Sequence, residues 1–145
     1  MKIGKPLWLI LAIGVLIMFT THACQARSGG SSQQQQSENR SEYRRISAEE
    51  AKKIMTTLPN VIILDVRTKE EFRERRIEGA TWLHVDEIKK KALTVLPDKN
   101  ALILVYCRRG IRSEIAARSL ISMGYTNVFD FGGLDMWNYA TVEGL

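Results

Sequence analysis

The stretch Leu102-Ile103-Leu104-Val105-Tyr106-Cys107-Arg108-Arg109-Gly110-Ile111-Arg112-Ser113 decides how this chain is read. The apolar run from Leu102 to Tyr106 is short and uninterrupted, which suits a strand covered on both faces. It stops at a cysteine, passes two arginines and a glycine, and from Ile111 takes on a helical pattern. Ile115, Ala116, Leu120 and Met123 fall at core spacing, and Gly124 supplies the stop. Strand, tight loop and helix in this order form the repeating unit of an α/β fold on a parallel sheet.

The flanking sequence repeats that alternation. Ser47-Ala48-Glu49-Glu50 is a capping-box signature and predicts a helix through Met55. Val61 to Leu64 predicts a buried strand ending at Asp65. Thr68 then caps a helix to about Arg75, with Phe72 turned inward. Ala80 to His84 is a weaker strand, and Asp86 to Leu96 a helix stopped by Pro97-Asp98-Lys99-Asn100. Val128 to Phe131 is the last strand, and Gly132-Gly133 leads into a short helix with Met136 and Trp137. The sum is an α/β domain: a three-layer open parallel sheet with helices on both faces.

Ahead of this domain the composition changes twice. Residues 1–23 read as a signal peptide, with Lys2 and Lys5 before an apolar core from Leu7 to Phe19. That core is shorter than the roughly 20 residues a bilayer span needs. Cys24 follows Ala23 in an arrangement that resembles the lipobox of bacterial lipoproteins, although Thr21 stands where a Leu-like residue is usual. Lipidation at Cys24 is therefore expected, with a cleaved secreted form and an uncleaved anchor as the alternatives. Residues 24–41 are rich in Gly, Ser and Gln and predict a flexible tether. The folded domain is assigned to 42–145, exported and held at a membrane on its extracytoplasmic or periplasmic side.

The chain has 145 residues with a formal charge of +5. Lys2 and Lys5 belong to the leader, and the other basic residues are scattered in short groups such as Arg44-Arg45 and Lys89-Lys90-Lys91. Most read as solvated helix faces, so no nucleic-acid partner is indicated. With two cysteines and one of them at the lipobox, Cys107 is left as the domain's only thiol, so no internal disulfide staples it. No Cys/His cluster has metal-ligand spacing, and neither a metal nor another cofactor is expected. His84 reads as a hydrogen-bonded histidine, and Trp82 and Trp137 as core anchors.

The loop after Leu102–Tyr106 has the makings of an anion site. Ligands of open parallel sheets sit at the carboxyl ends of the strands, where Asp65 and Cys107 both fall. Gly110 permits the tight curl, curled backbone turns N–H groups inward as a nest, and the following helix adds the positive end of its dipole. Arg108, Arg109 and Arg112 add full charges. A free thiol is mostly protonated at neutral pH, and surroundings of this kind favour its anion. Cys107 is the candidate nucleophile.

From Tyr43 to Trp137 the chain resembles a single rhodanese homology domain. The resemblance rests on Leu64-Asp65-Val66-Arg67 with Glu70-Glu71-Phe72, Arg76-Ile77-Glu78-Gly79-Ala80, Tyr106 to Ser113, Ala116-Ala117, Gly124-Tyr125, and Gly132-Gly133 with Trp137. It implies a sulfurtransferase whose Cys107 carries sulfane sulfur as a persulfide. The donor would be a small sulfur anion such as thiosulfate, the acceptor cyanide, a thiol or a protein. Arg108, Arg109, Gly110, Ile111 and Arg112 would then bind substrate, while Asp65, Arg67 and Ser113 support the site. Arg112 is expected to pair with a carboxylate such as Asp65, and Arg67 with Glu71 or another acid. Four residues separate Cys107 from Arg112, the compact loop of the sulfurtransferase branch; phosphatase relatives carry one more. Two other readings stay open: a non-catalytic or redox binding module, and a phosphatase or arsenate-handling enzyme.

Overall fold

The computed structural model describes residues 42–144. The signal segment, Cys24 and the tether through residue 41 lie outside the described residues. The elements run β1 (Arg44–Arg45), α1 (Ala48–Thr57), β2 (Ile62–Asp65), α2 (Lys69–Glu74), β3 (Thr81–Trp82), α3 (Ile88–Val95), β4 (Leu102–Cys107), α4 (Ile111–Ser122) and β5 (Asn127–Gly133). Short 3₁₀ turns at Val85–Glu87 and Leu134–Met136 complete them. The strands form one sheet in the order β1-β5-β4-β2-β3, every neighbouring pair parallel.

Because side chains alternate across a strand, β4 feeds two cores. Ile103, Val105 and Cys107 face one side, with Ile88 and Ala92 of α3 and Ala116, Ala117 and Leu120 of α4. Leu104 and Tyr106 face the other, with Ala51 of α1, Phe131, Leu134 and Trp137. Helices thus cover both faces, as the sequence led us to expect. Both N-terminal capping boxes form: Ser47 with Glu50, and Thr68 with Glu71. Gly124 ends α4 at φ +90°.

Four details depart from the sequence reading. Ile115 is 53% exposed, because the buried stripe of α4 runs through Ser113, Ala116, Ala117 and Leu120 and leaves position 115 on its flank. The strand expected over 80–84 is only Thr81–Trp82; His84 instead accepts the Asp86 N–H on Nδ1 at 3.4 Å and starts a 3₁₀ turn. Gly132 and Gly133 belong to β5 itself, which bulges so that Val105 pairs with Asp130 but Tyr106 with Gly132. Arg44 and Arg45 are not on a solvated helix face but form the edge strand beside β5.

Candidate active site

β4 delivers Cys107 to the C-terminal edge of the sheet, between β2 and β5, with 1% of the residue exposed. The chain then curls through Arg108 and Arg109 to Gly110, whose φ of +101° lies in the left-handed region that favours glycine. This curl turns the Gly110 N–H back onto the Cys107 Sγ at 3.0 Å. α4 starts immediately afterwards, so its positive end adjoins the same sulfur. A pocket of about 270 Å³ opens above it, lined by Glu71, Cys107, Arg108, Arg109, Ile111 and Arg112.

Three contacts fix the loop from behind. Ser113 Oγ sits between the carbonyls of Gly110 (3.0 Å) and Gly132 (3.2 Å), sharing its O–H between them. The Asp135 N–H donates to the Arg108 carbonyl at 3.1 Å. Gly133 lies so close to the loop that a Cβ there would stand 2.3 Å from the Arg108 carbonyl oxygen. Glycine is needed at this position for close approach of two backbones.

The ion pairs are crossed relative to the sequence reading. Arg112 pairs with Glu71 and not with Asp65: its Nη1 and Nη2 donate to the two carboxylate oxygens at 2.6 and 2.8 Å. Arg67 pairs with Asp65 and not with Glu71, reaching both oxygens through Nε at 3.0 Å. The spacing in sequence does not reveal this, because Asp65 ends β2, Glu71 follows in α2, and only the direction of α2 decides which carboxylate meets the loop. The hydrogen bonds from Arg112 pull the Glu71 carboxyl from its ordinary 4.5 down to about 2, so it stays ionised. Arg112 therefore both lines the pocket and is anchored in it, with much of its charge neutralised by Glu71. Arg108 and Arg109 are exposed at the mouth, Arg108 lying 3.9 Å from Asp135.

Asp65 and Arg67 are buried beside the site and do not line the cysteine pocket. Arg67 also holds the Arg75 carbonyl, and its own carbonyl accepts the Trp82 Nε1–H at 2.9 Å. The pair thus ties the end of β2 to α2 and β3. Tyr106, packed on the opposite face, accepts the Ile77 N–H on its hydroxyl at 3.2 Å. Burial, followed by the nearby Asp65 charge, raises the phenol well above its ordinary value and keeps it neutral.

The sequence reading missed a second buried acid. Asp130 is fully buried on β5, where it accepts from the Tyr43 hydroxyl (2.7 Å), Arg45 Nη1 (3.1 Å) and the Gly132 N–H (2.8 Å). A signal was present: an acid inside the apolar run Val128 to Phe131 needs a buried partner.

A sequence profile of the Rhodanese-like domain matches residues 47–140. The chain belongs to the rhodanese-like family. Thiosulfate sulfurtransferase PspE of Escherichia coli K12 is 39% identical over 71 residues, which cover 49% of this chain and 68% of that protein. Thiosulfate sulfurtransferase GlpE of Coxiella burnetii (strain RSA 331) is 32% identical over 96 residues, 66% of this chain and 87% of that one. A solved structure described as rhodanese with anions, from E. coli, superposes with a TM-score of 0.55 at 36% identity, covering 58% of this chain and 99% of the other. The fold, the single rhodanese-like domain and its place among sulfurtransferase-type relatives therefore agree with the sequence reading.

Proposed function

We propose that this rhodanese-like chain is a sulfurtransferase that carries one sulfane sulfur on Cys107. The observation that carries the reading is the short loop that sets the Gly110 N–H on the Cys107 sulfur, beneath a pocket ringed by Arg108, Arg109 and Arg112. In the first half-reaction the Cys107 thiolate attacks the outer sulfur of thiosulfate. A new S–S bond forms to Cys107, the donor S–S bond breaks, and sulfite leaves with the electron pair. The resulting Cys107–S–S⁻ would be stabilised by the Gly110 N–H, which already meets the Cys107 sulfur, and by the positive end of α4. In the second half-reaction an acceptor nucleophile attacks the outer sulfur, and Cys107 leaves as thiolate. With cyanide the product is thiocyanate; a thiol yields its own persulfide. Arg108 and Arg109 draw the anionic donor into the mouth, and Ile111 forms its apolar side.

Intact-mass measurement tests this directly. Incubation with thiosulfate should add a single sulfur atom, cyanide should remove it, and Cys107→Ser should take up none. A wild-type domain that stays unloaded, or a serine variant that still loads, overturns the proposal. Turnover of a phosphate ester in place of sulfur loading would support the phosphatase alternative.

We also propose export through residues 1–23 with lipid on Cys24, which would tether the domain to an extracytoplasmic membrane face. The support is the basic, apolar and small-residue succession ending at that cysteine. Mass spectrometry of the mature N-terminus should find diacylglycerol on Cys24, and an unmodified terminus beyond residue 24 rules lipidation out.

A further inference from the structure

Arg45 stands two positions ahead of the family match, which begins at residue 47. Its guanidinium nevertheless reaches the back of the cysteine loop. A Cβ at Gly110 would lie 2.6 Å from Arg45 Nη2, and one at Gly132 would lie 2.7 Å from the same nitrogen. The head of Arg45, half exposed at its outer side, therefore lies against two glycines, one at the start of α4 and one at the bulge of β5. Both have positive φ, +101° and +89°, and neither presents a side chain to push it away.

What holds Arg45 there is equally specific. Asp130 is completely buried, and a buried carboxylate requires compensating charge and hydrogen bonds. It receives one bond each from Arg45, the Tyr43 hydroxyl and the Gly132 N–H. Arg45 is thus fixed at one end by a buried anion while the rest of its head lies against Gly110. Gly110 is the residue whose N–H meets the Cys107 sulfur. From α4, the Glu114 carboxylate also acts on Arg45, together with Tyr43, just ahead of β1, and Asp130 of β5.

We infer that Arg45 is a positioning residue for Cys107: clamped by Asp130 and Tyr43, it backs the Gly110 turn and keeps that N–H aimed at the sulfur. It touches neither the sulfur nor the pocket above it. It acts through the loop, and its charge reinforces the positive end of α4 behind the site. Lysine is a poor substitute, because the guanidinium reaches Asp130 with one nitrogen while another lies against Gly110 and Gly132, and a single ammonium cannot occupy both places. The consequence for turnover rests on Cys107 being the sulfur carrier, but the effect on thiol reactivity does not.

The test is the alkylation rate of Cys107 by iodoacetamide at neutral pH on the full chain, read by mass spectrometry of the peptide that carries Cys107, so that Cys24 does not contribute. Arg45→Ala should alkylate about three- to tenfold more slowly than wild type, the scale expected when a partly screened nearby charge and a loop restraint are lost. Arg44→Ala is the matched control. It removes the same charge from the same strand, but Arg44 stacks on Phe129 away from the loop, so its rate should equal wild type. Low-millimolar guanidinium, below denaturing concentrations, should restore part of the rate in Arg45→Ala alone, and Arg45→Lys should fall in between. In thiosulfate turnover the loss should appear in kcat more than in KM. A lower melting temperature in Arg45→Ala with an unchanged alkylation rate would overturn the inference, and so would an equal loss in Arg44→Ala. If wild type takes up no sulfur yet the alkylation contrast holds, the proposed reaction fails and the positioning role stands.

Discussion

At Glu71 one carboxylate serves two structures: it accepts the Thr68 N–H at the start of α2, and it receives both terminal nitrogens of Arg112. Its pKa is depressed in the folded chain, so the stabilisation is fully present above the ordinary value of 4.5 and is lost as pH falls toward about 2. Glu71→Gln should therefore cost about 1–2 kcal/mol near neutrality, screened by partial exposure, and the gap to wild type should close between those two pH values. Denaturant unfolding at a series of pH values checks this. Gly133→Ala is a second sharp case at this scale. The added methyl would meet the Arg108 carbonyl, so the loop must shift, with a loss of about 1–3 kcal/mol and slower sulfur loading. Thermal unfolding and loading kinetics of the purified variant should fall together. At residue scale the sequence pointed to Cys107, its arginines and Gly110, because composition and order alone describe a thiol in an anion-binding loop. It paired the acids with the arginines the wrong way round, since Asp65 and Glu71 are equally plausible partners until the direction of α2 is known.

The elements divide by how much local sequence determines them. α1 and α2 were readable from their capping boxes, and β2 and β4 from uninterrupted apolar runs. β1 was not: two arginines carry no strand pattern, and what makes them a strand is the Asp130 carboxylate and the edge of β5. The Gly132-Gly133 pair read as the lead into a short helix, because glycine usually marks the break between elements. Its use here is steric, letting β5 bulge beneath the loop. Capping gives the prediction that belongs to this scale. Thr68→Ala should lose about 1 kcal/mol, as should Ser47→Ala. Only Thr68→Ala should be non-additive with Glu71→Gln in a double-mutant cycle of denaturant unfolding, because the two changes strike the same box.

Across the whole molecule, β4 is flanked by a strand on each side and covered by a core on each face. Hydrogen exchange should place the amides of Ile103 to Tyr106 among the slowest, near the global unfolding limit, and those of the edge strands β1 and β3 well below it. A flat profile across the sheet would contradict this organisation. The same placement has a consequence for chemistry between molecules. An intermolecular disulfide needs two Cα atoms within about 7 Å, and Cys107 sits at the centre of a sheet edge with almost none of its surface open. Two folded copies would collide long before their Cys107 sulfurs met. The thiol is thus open to slender reagents and closed to its own kind, so aerated protein should run as a monomer on a non-reducing gel with respect to Cys107. Oxidation should proceed by added oxygen at the sulfur, and dimerisation would require unfolding first.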